Sequence, residues 1–267
     1  VKFGDWQPEN YGGGYRGPMT VEHALVTSTN TVAVKLGQEA GGPAIGELVR
    51  RFGITTLPPS PDLSVALGSY EVSLLQLTSA FQVFQLGGNR IEPYVIERIV
   101  TQGGAPVFAR QAATPLNVYD VGRASMMVKM MKKVVTEGTA KRAAFGRPAA
   151  GKTGTSQNWR DAWFVGFTPD YVTGVWVGND NDKPMNKVVG GDIPASIWRR
   201  FMMAAHQNLA VRDFDWLLPD PATESEPDPR NGYYETLAAE FARAASDLES
   251  AANPPPTPEG QPAELPY

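Results

Sequence analysis

Three short apolar runs, "AAGKTGTS", "DAWFVGFTP" and "YVTGVWVGND" between Ala149 and Asp180, constrain the fold more than any other feature of the chain. Each mixes β-branched and aromatic residues with glycine, and only a few residues separate one run from the next. Connections that short join strands only as an antiparallel meander, because a parallel crossover needs a dozen residues or more. The segments before the meander read as helices. "MTVEHALVTSTNTVAVKLGQEAGG" gives two short helices broken near Ser28–Asn30, with Val21, Leu25, Val32, Val34 and Leu36 on their buried faces. "GPAIGELVRRFG" places Pro43 in a first helical turn and Gly53 at a C-terminal stop. "YEVSLLQLTSAFQVFQLGG" predicts a long buried helix, and "IEPYVIERIVTQGGAPVFA" a small hairpin. In "VYDVGRASMMVKMMKKVVTEG" the methionines fall at helical spacing and read as core filler, and "PASIWRRFMMAAHQ" closes the pattern with a last helix. Helices, then a meander, then a helix make the fold class α+β, an antiparallel sheet flanked by helices.

Two polar clusters interrupt this framework. On the first strand, Lys152, Thr153, Gly154 and Thr155 combine one fixed cation, two hydroxyls and a glycine that leaves the main chain uncovered. An extended ligand can pair with such a strand, and the lysine and hydroxyls suit a carboxylate. The same four residues also read as a strand-end lysine running into a turn. At the break between the first two helices, Ser28 is a hydroxyl able to relay a proton, and Asn30 offers both an acceptor and donors to an amide. Serine and asparagine are equally ordinary helix caps. The informative feature is the pair in this order, one cluster on a helix junction and the other on the first strand of a meander.

With "NYGGGYRGPMTVEHALVTSTNTVAVKL" added, "KTGTSQNWRDAWFVGFTPDYVTGVWVGND" resembles the transpeptidase domain of penicillin-binding proteins, from about Trp6 to His206. The stretches "YRGPMTVEHALVTSTNTVAVKL" and "GNDNDKPMNKVVGGDIPASIWRRFM" resemble class A, the bifunctional peptidoglycan synthases, and the C-terminal part of their transpeptidase domain. The resemblance implies a serine β-lactamase/transpeptidase-like fold, incomplete at its N-terminal side, and the three-motif set S-x-x-K, S-x-N and K-T-G. It implies a cycle in which the S-x-x-K serine attacks the D-Ala–D-Ala carbonyl of a wall stem peptide. The terminal D-Ala leaves, and an amine from a neighbouring strand takes the acyl group. By position, Ser28 passes a proton to the leaving nitrogen and Asn30 holds the substrate amide. Lys152 biases Ser28 and attracts the terminal carboxylate, which Thr153 and Thr155 bind beside the open Gly154. The Thr155 N–H supplies half of an oxyanion hole. Stem peptides and β-lactams are the implied ligands, with no cofactor and no metal. A D,D-carboxypeptidase or β-lactamase of the same fold, and a non-catalytic binder of wall peptides or partner proteins, remain alternatives.

The sequence departs from that pattern at one point, because it contains no S-x-x-K. Ser125 comes nearest, but "SMMVK" sets Lys129 one residue too far along, and Ser125 follows the S-x-N motif instead of preceding it. The nucleophile is therefore expected upstream of Val1, outside this chain, with a glycosyltransferase domain and membrane anchor further upstream. That places the parent at the periplasmic face of the inner membrane and leaves the isolated chain catalytically incomplete. His23 and His206 sit in no triad or metal-ligand spacing, "YGGGYRG" lacks the lysine of a phosphate loop, and "NDNDKP" lacks the glycine and glutamate of a calcium loop.

Charge divides the chain. From Asp213 onward it carries twelve Asp/Glu against Arg230 and Arg243, so of the net −4 the tail holds near −10 and the body +6. The expected division is a transpeptidase domain over 1–212 and an acidic, Pro-rich tail over 213–267, with the composition shifting beyond about Leu218 and a helical pattern at 232–249. The basic residues of the body are too dispersed for a nucleic-acid surface. Without cysteine there are no disulfides or thiolate metal sites.

Overall fold

Thr20 caps the first helix, α1 (Val21–Val26), by accepting from the His23 N–H. The computed structural model describes residues 6–220. After Thr27 the chain reverses through Ser28, whose φ of 56° lies in the left-handed region that non-glycine residues rarely adopt. It re-enters helix at α2 (Asn30–Ala40), and α3 (Gly42–Arg51) follows with proline in its first turn. The break near Ser28 and the end of α3 just before Gly53 are those expected from sequence. A Ser73–Gln76 capping box opens α4 (Leu74–Gln85). The helix ends at Gly87–Gly88, where a Cβ on Gly88 would meet the Tyr119 carbonyl at 2.1 Å.

Between α4 and the next helix lie β1 (Asn89–Arg90), the hairpin of β2 (Arg98–Val100) and β3 (Pro106–Ala109), and β4 (Leu116–Asn117), which pairs with β1. Both hairpin strands are exposed throughout. Capped by Asp120, α5 (Val121–Thr136) buries Ala124, Ser125, Val128, Met131, Val134 and Val135. Its methionines are only partly core: Met131 is buried, whereas Met126 is 59% exposed on the opposite side of the helix.

The meander forms as read, β5 (Ala150–Thr155), β6 (Asp161–Phe167) and β7 (Val172–Gly178), antiparallel and in that spatial order. Register pairs Lys152 with Val165 and Thr153 with Phe164 without interruption. Cross-strand partners share a face. Ala150 and Phe167 therefore point to one side, where they pack with Val128 and Met131 of α5, while Phe164 points to the other, against Trp198 and Met202 of α6 (Ile193–Ala205). The Trp198 indole N–H donates to the Thr173 carbonyl at 3.1 Å, fixing α6 to the sheet.

The compact unit runs through Leu218, the point of the composition shift, and so past the charge boundary at Asp213. Phe214 is 5% exposed among core residues, Trp216 donates to the Gln85 carbonyl at 3.0 Å, and Lys132 pairs with Asp213 at 2.6 Å. Acidic composition hid these aromatic anchors. The helical pattern at 232–249 lies outside the described residues.

Candidate active site

The two polar clusters meet. Lys152 Nζ lies 2.7 Å from Ser28 Oγ, although 124 residues separate them in the chain, and the same ammonium donates to the Thr153 carbonyl at 3.1 Å. Two local conformations bring this about. The left-handed turn at Ser28 projects its hydroxyl from the α1–α2 junction, and the pleat of β5 sends Lys152 to the face that carries Val165. Burial lowers the Lys152 pKa from 10.5 to about 8. The side chain is thus still mostly an ammonium at neutral pH, and the serine hydrogen stays free for another acceptor.

Asn30 stands at the first residue of α2 and donates from Nδ2 to the Glu9 carbonyl at 2.7 Å. The adjoining Asn10 accepts from both the Thr31 N–H, at 3.1 Å, and the Thr31 hydroxyl, at 3.2 Å. Thr29, the helix's own cap position, makes no side-chain cap, its hydroxyl being shared with Thr27 at 2.9 Å. A side chain from 21 residues upstream therefore satisfies an N–H that the helix end leaves over. Sequence reading missed Glu9 and Asn10, because no local spacing marks a cap of that separation.

Thr153 and Thr155 alternate with Lys152 and fall on the opposite face of β5. Their hydroxyls do not join Lys152. Thr153 Oγ1 lies 2.8 Å from the hydroxyl of Thr139, and Thr155 Oγ1 accepts from the Gly190 N–H at 3.1 Å. The main chain alternates as well. Ser156 N–H donates to the Asp161 carbonyl at 3.0 Å, so in the unbroken ladder residues 152 and 154 turn their backbone groups toward β6. Thr153 and Thr155 turn theirs to the outer edge of the strand, which is why Lys152 can reach the Thr153 carbonyl there. The Thr155 N–H consequently faces outward beside Gly154.

Ser125 is hydrogen-bonded elsewhere. It is 2% exposed, and its hydroxyl accepts from the Leu218 N–H at 3.0 Å. His206 is buried between the Thr168 hydroxyl, at 2.9 Å, and the Met202 carbonyl, at 2.8 Å, while His23 is exposed on α1. "NDNDKP" is a turn in which Asn179 donates to the Lys183 carbonyl at 2.7 Å and Asp182 pairs with Arg160. Among the described residues no cluster of acidic or histidine side chains could hold a metal, and no helix is long and apolar enough to cross a membrane.

Residues 1–203 match the family described as "Penicillin binding protein transpeptidase domain". The chain belongs to the penicillin-binding protein transpeptidase family. Among curated relatives, Penicillin-binding protein 1A of Aquifex aeolicus is 39% identical over 213 residues, covering 79% of this chain and 29% of that protein. Penicillin-binding protein 1A of Neisseria meningitidis serogroup A is likewise 39% identical, over 75% of this chain and 26% of its own length. This member thus spans between a quarter and a third of those class A relatives. Among solved structures, Penicillin-Binding Protein 1A from Haemophilus influenzae superposes with a TM-score of 0.74 at 25% identity, over 82% of this chain and 39% of that one. The PonA1 protein from Mycobacterium tuberculosis, solved in complex with penicillin V, gives 0.70 at 25% identity, over 77% and 61%. The α+β sheet-and-helix arrangement is that of these transpeptidase domains.

Proposed function

We propose that this chain carries two of the three catalytic motifs of a peptidoglycan D,D-transpeptidase, and that the third, the S-x-x-K nucleophile, is contributed by a segment of the parent outside it. The observation that carries this reading is the 2.7 Å approach of Lys152 Nζ to Ser28 Oγ across 124 residues. A chance lysine at a strand end has no reason to meet a serine held in left-handed backbone.

In the proposed cycle the nucleophilic serine of the parent attacks the penultimate D-Ala carbonyl of a stem peptide. The new C–O bond pushes the carbonyl electrons onto oxygen. The outward N–H of Thr155 stabilises that oxyanion together with the nucleophile's own N–H. In another serine hydrolase, loss of one such donor weakens transition-state stabilisation by about 2.7–4 kcal/mol. The nucleophile's proton passes to the S-x-x-K lysine beside it, and Ser28, whose oxygen accepts from Lys152, relays a proton from that lysine to the departing D-Ala nitrogen as the C–N bond breaks. An amine of a second strand then attacks the ester carbonyl, the ester C–O bond breaks, and the proton that the amine loses returns to the serine oxygen. Asn30 holds the donor peptide's amide, and its fixed bond to the Glu9 carbonyl sets which way the side-chain amide points. Lys152 attracts the terminal carboxylate, and Thr153 and Thr155 bind it. β-Lactams enter by mimicking the same dipeptide and stay as acyl-enzyme; the similar PonA1 protein was solved in complex with penicillin V.

The geometry of the sheet supports a missing neighbour. Among the described residues β7 is an outer strand with a hollow of about 740 Å³ beside it, lined by Leu74, Leu75, Val172 and Phe201 among others. Further parent chain can cover that edge. We place the parent, as part of the same proposal, at the periplasmic face of the inner membrane, anchored outside this segment and joined to a glycosyltransferase domain. Fluorescent penicillin tests the reading: it labels the full-length protein and leaves the isolated chain unlabelled. Labelling of the isolated chain, or none of the full-length protein, refutes it.

A further inference from the structure

Thr139 lies in the turn after α5, outside every motif considered above, yet three of its groups are engaged at the site. Its N–H donates to the Val26 carbonyl at 3.3 Å, two residues before Ser28. Its carbonyl is so closely covered that a Cβ on Gly191 would sit 2.1 Å from it. Its hydroxyl lies 2.8 Å from that of Thr153. The backbone of Thr139 is therefore pinned on both sides, and its exposed hydroxyl is held at the K-T-G strand.

A hydroxyl has one hydrogen and two lone pairs. Two hydroxyls sharing one hydrogen bond leave one O–H over, and either residue can be the donor. An anion arriving at Thr153 selects the arrangement in which Thr139 donates and the Thr153 hydrogen points to the anion. Thr155 is already in the equivalent state, since its oxygen accepts from the Gly190 N–H at 3.1 Å and its hydrogen is left over. Both strand hydroxyls then present hydrogens, and the donor behind each strengthens the bond it makes. Remove the Thr139 hydroxyl, and Thr153 loses the partner that orients it.

We infer that Thr139 is a positioning residue for carboxylate recognition, making Thr153 a donor toward the terminal carboxylate of the stem peptide or the corresponding group of a β-lactam. The inference rests on the transpeptidase reading above and adds to it a residue that determines ligand charge preference.

The test compares acylation of the full-length protein by benzylpenicillin and by its methyl ester, which keeps the ring and lacks the carboxylate. Thr139→Val is expected to slow acylation by the acid about ten-fold, the scale of one charge-assisted hydrogen bond, and to change the ester rate less than about two-fold. Thr139→Ser restores the acid rate. Thr153→Val gives the same acid-selective loss, and the double variant loses little more than either single one, as residues acting through one bond should. An equal slowing of acid and ester marks a merely structural role and overturns the inference, as does an unchanged acid rate in Thr139→Val. If Thr139→Val does not fold, the acid-to-ester rate ratio of Thr139→Ala decides: a ratio lowered about ten-fold from that of Thr139→Ser supports the inference, and an equal ratio overturns it. A wild-type protein that neither compound acylates overturns the transpeptidase reading itself.

Discussion

The two edges of the three-stranded sheet differ in every respect that bears on what they can contact. Along β5 a buried cation stands on one face and two hydroxyls on the other, and each polar side chain has a partner: Ser28 for Lys152, Thr139 for Thr153, Gly190 for Thr155. Beside β7 the neighbours are apolar, with Leu75 65% and Phe201 56% exposed, and Gly174 lets α4 approach so closely that a Cβ there would meet the Thr78 hydroxyl at 2.1 Å. An edge with polar groups already oriented suits a ligand that comes and goes, since orientation is settled before binding. An apolar edge beside strand backbone that is unpaired among the described residues is an aggregation hazard unless more protein covers it. One sheet thus has a polar edge whose groups are already oriented and an apolar edge that leaves large side chains exposed.

The largest effect that separates the edges is expected at Lys152. In the full-length protein Lys152→Ala should slow penicillin acylation by about a hundred-fold or more, measured by stopped-flow fluorescence, with the circular dichroism spectrum unchanged. An acylation rate equal to wild type would remove the distinction between the edges. Next comes proton linkage. The folded pKa of Lys152, about 8, lies below the unfolded 10.5, so between these values the unfolded chain binds the extra proton and stability rises with pH. The rise should be on the order of 2–3 kcal/mol, after allowance for partial solvent screening. Urea titrations of the isolated chain from pH 7.5 to 10.5 should show it, and Lys152→Met should abolish it; a rise that survives the substitution comes from another group.

The smallest effects sharpen the contrast through packing. Gly190→Ala puts a Cβ 2.1 Å from the Trp163 carbonyl and 2.5 Å from that of Gly154, so it should destabilise the chain by about 1–3 kcal/mol. Leu75→Ser on the apolar edge should change the isolated chain by less than about 0.5 kcal/mol, but destabilise the full-length protein more. Equal, small changes at Leu75 in both forms would mean that nothing covers the β7 edge.

Much of this was legible in sequence because it is local. The break at Ser28, the stop at Gly53, and the meander follow from periodicity and turn chemistry, and the structure has all of them. The meeting of Ser28 with Lys152 was legible only through the resemblance, since no local pattern relates residues 124 apart. Other parts were not legible at all. Asn10 caps a helix that begins 20 residues later, Thr139 reaches β5 from a turn, and Phe214 and Trp216 anchor a segment whose charge marks it as tail. Each depends on long-range packing that composition cannot register. The methionines of α5 followed the helical period, but period alone could not say that Met126 lies outside.

Peptide mapping by mass spectrometry of the penicillin-treated full-length protein tests the central claim most directly. The penicilloyl adduct is expected on a serine of an S-x-x-K segment outside residues 1–267. An adduct on Ser28, Ser125 or any other residue of this chain would contradict the account.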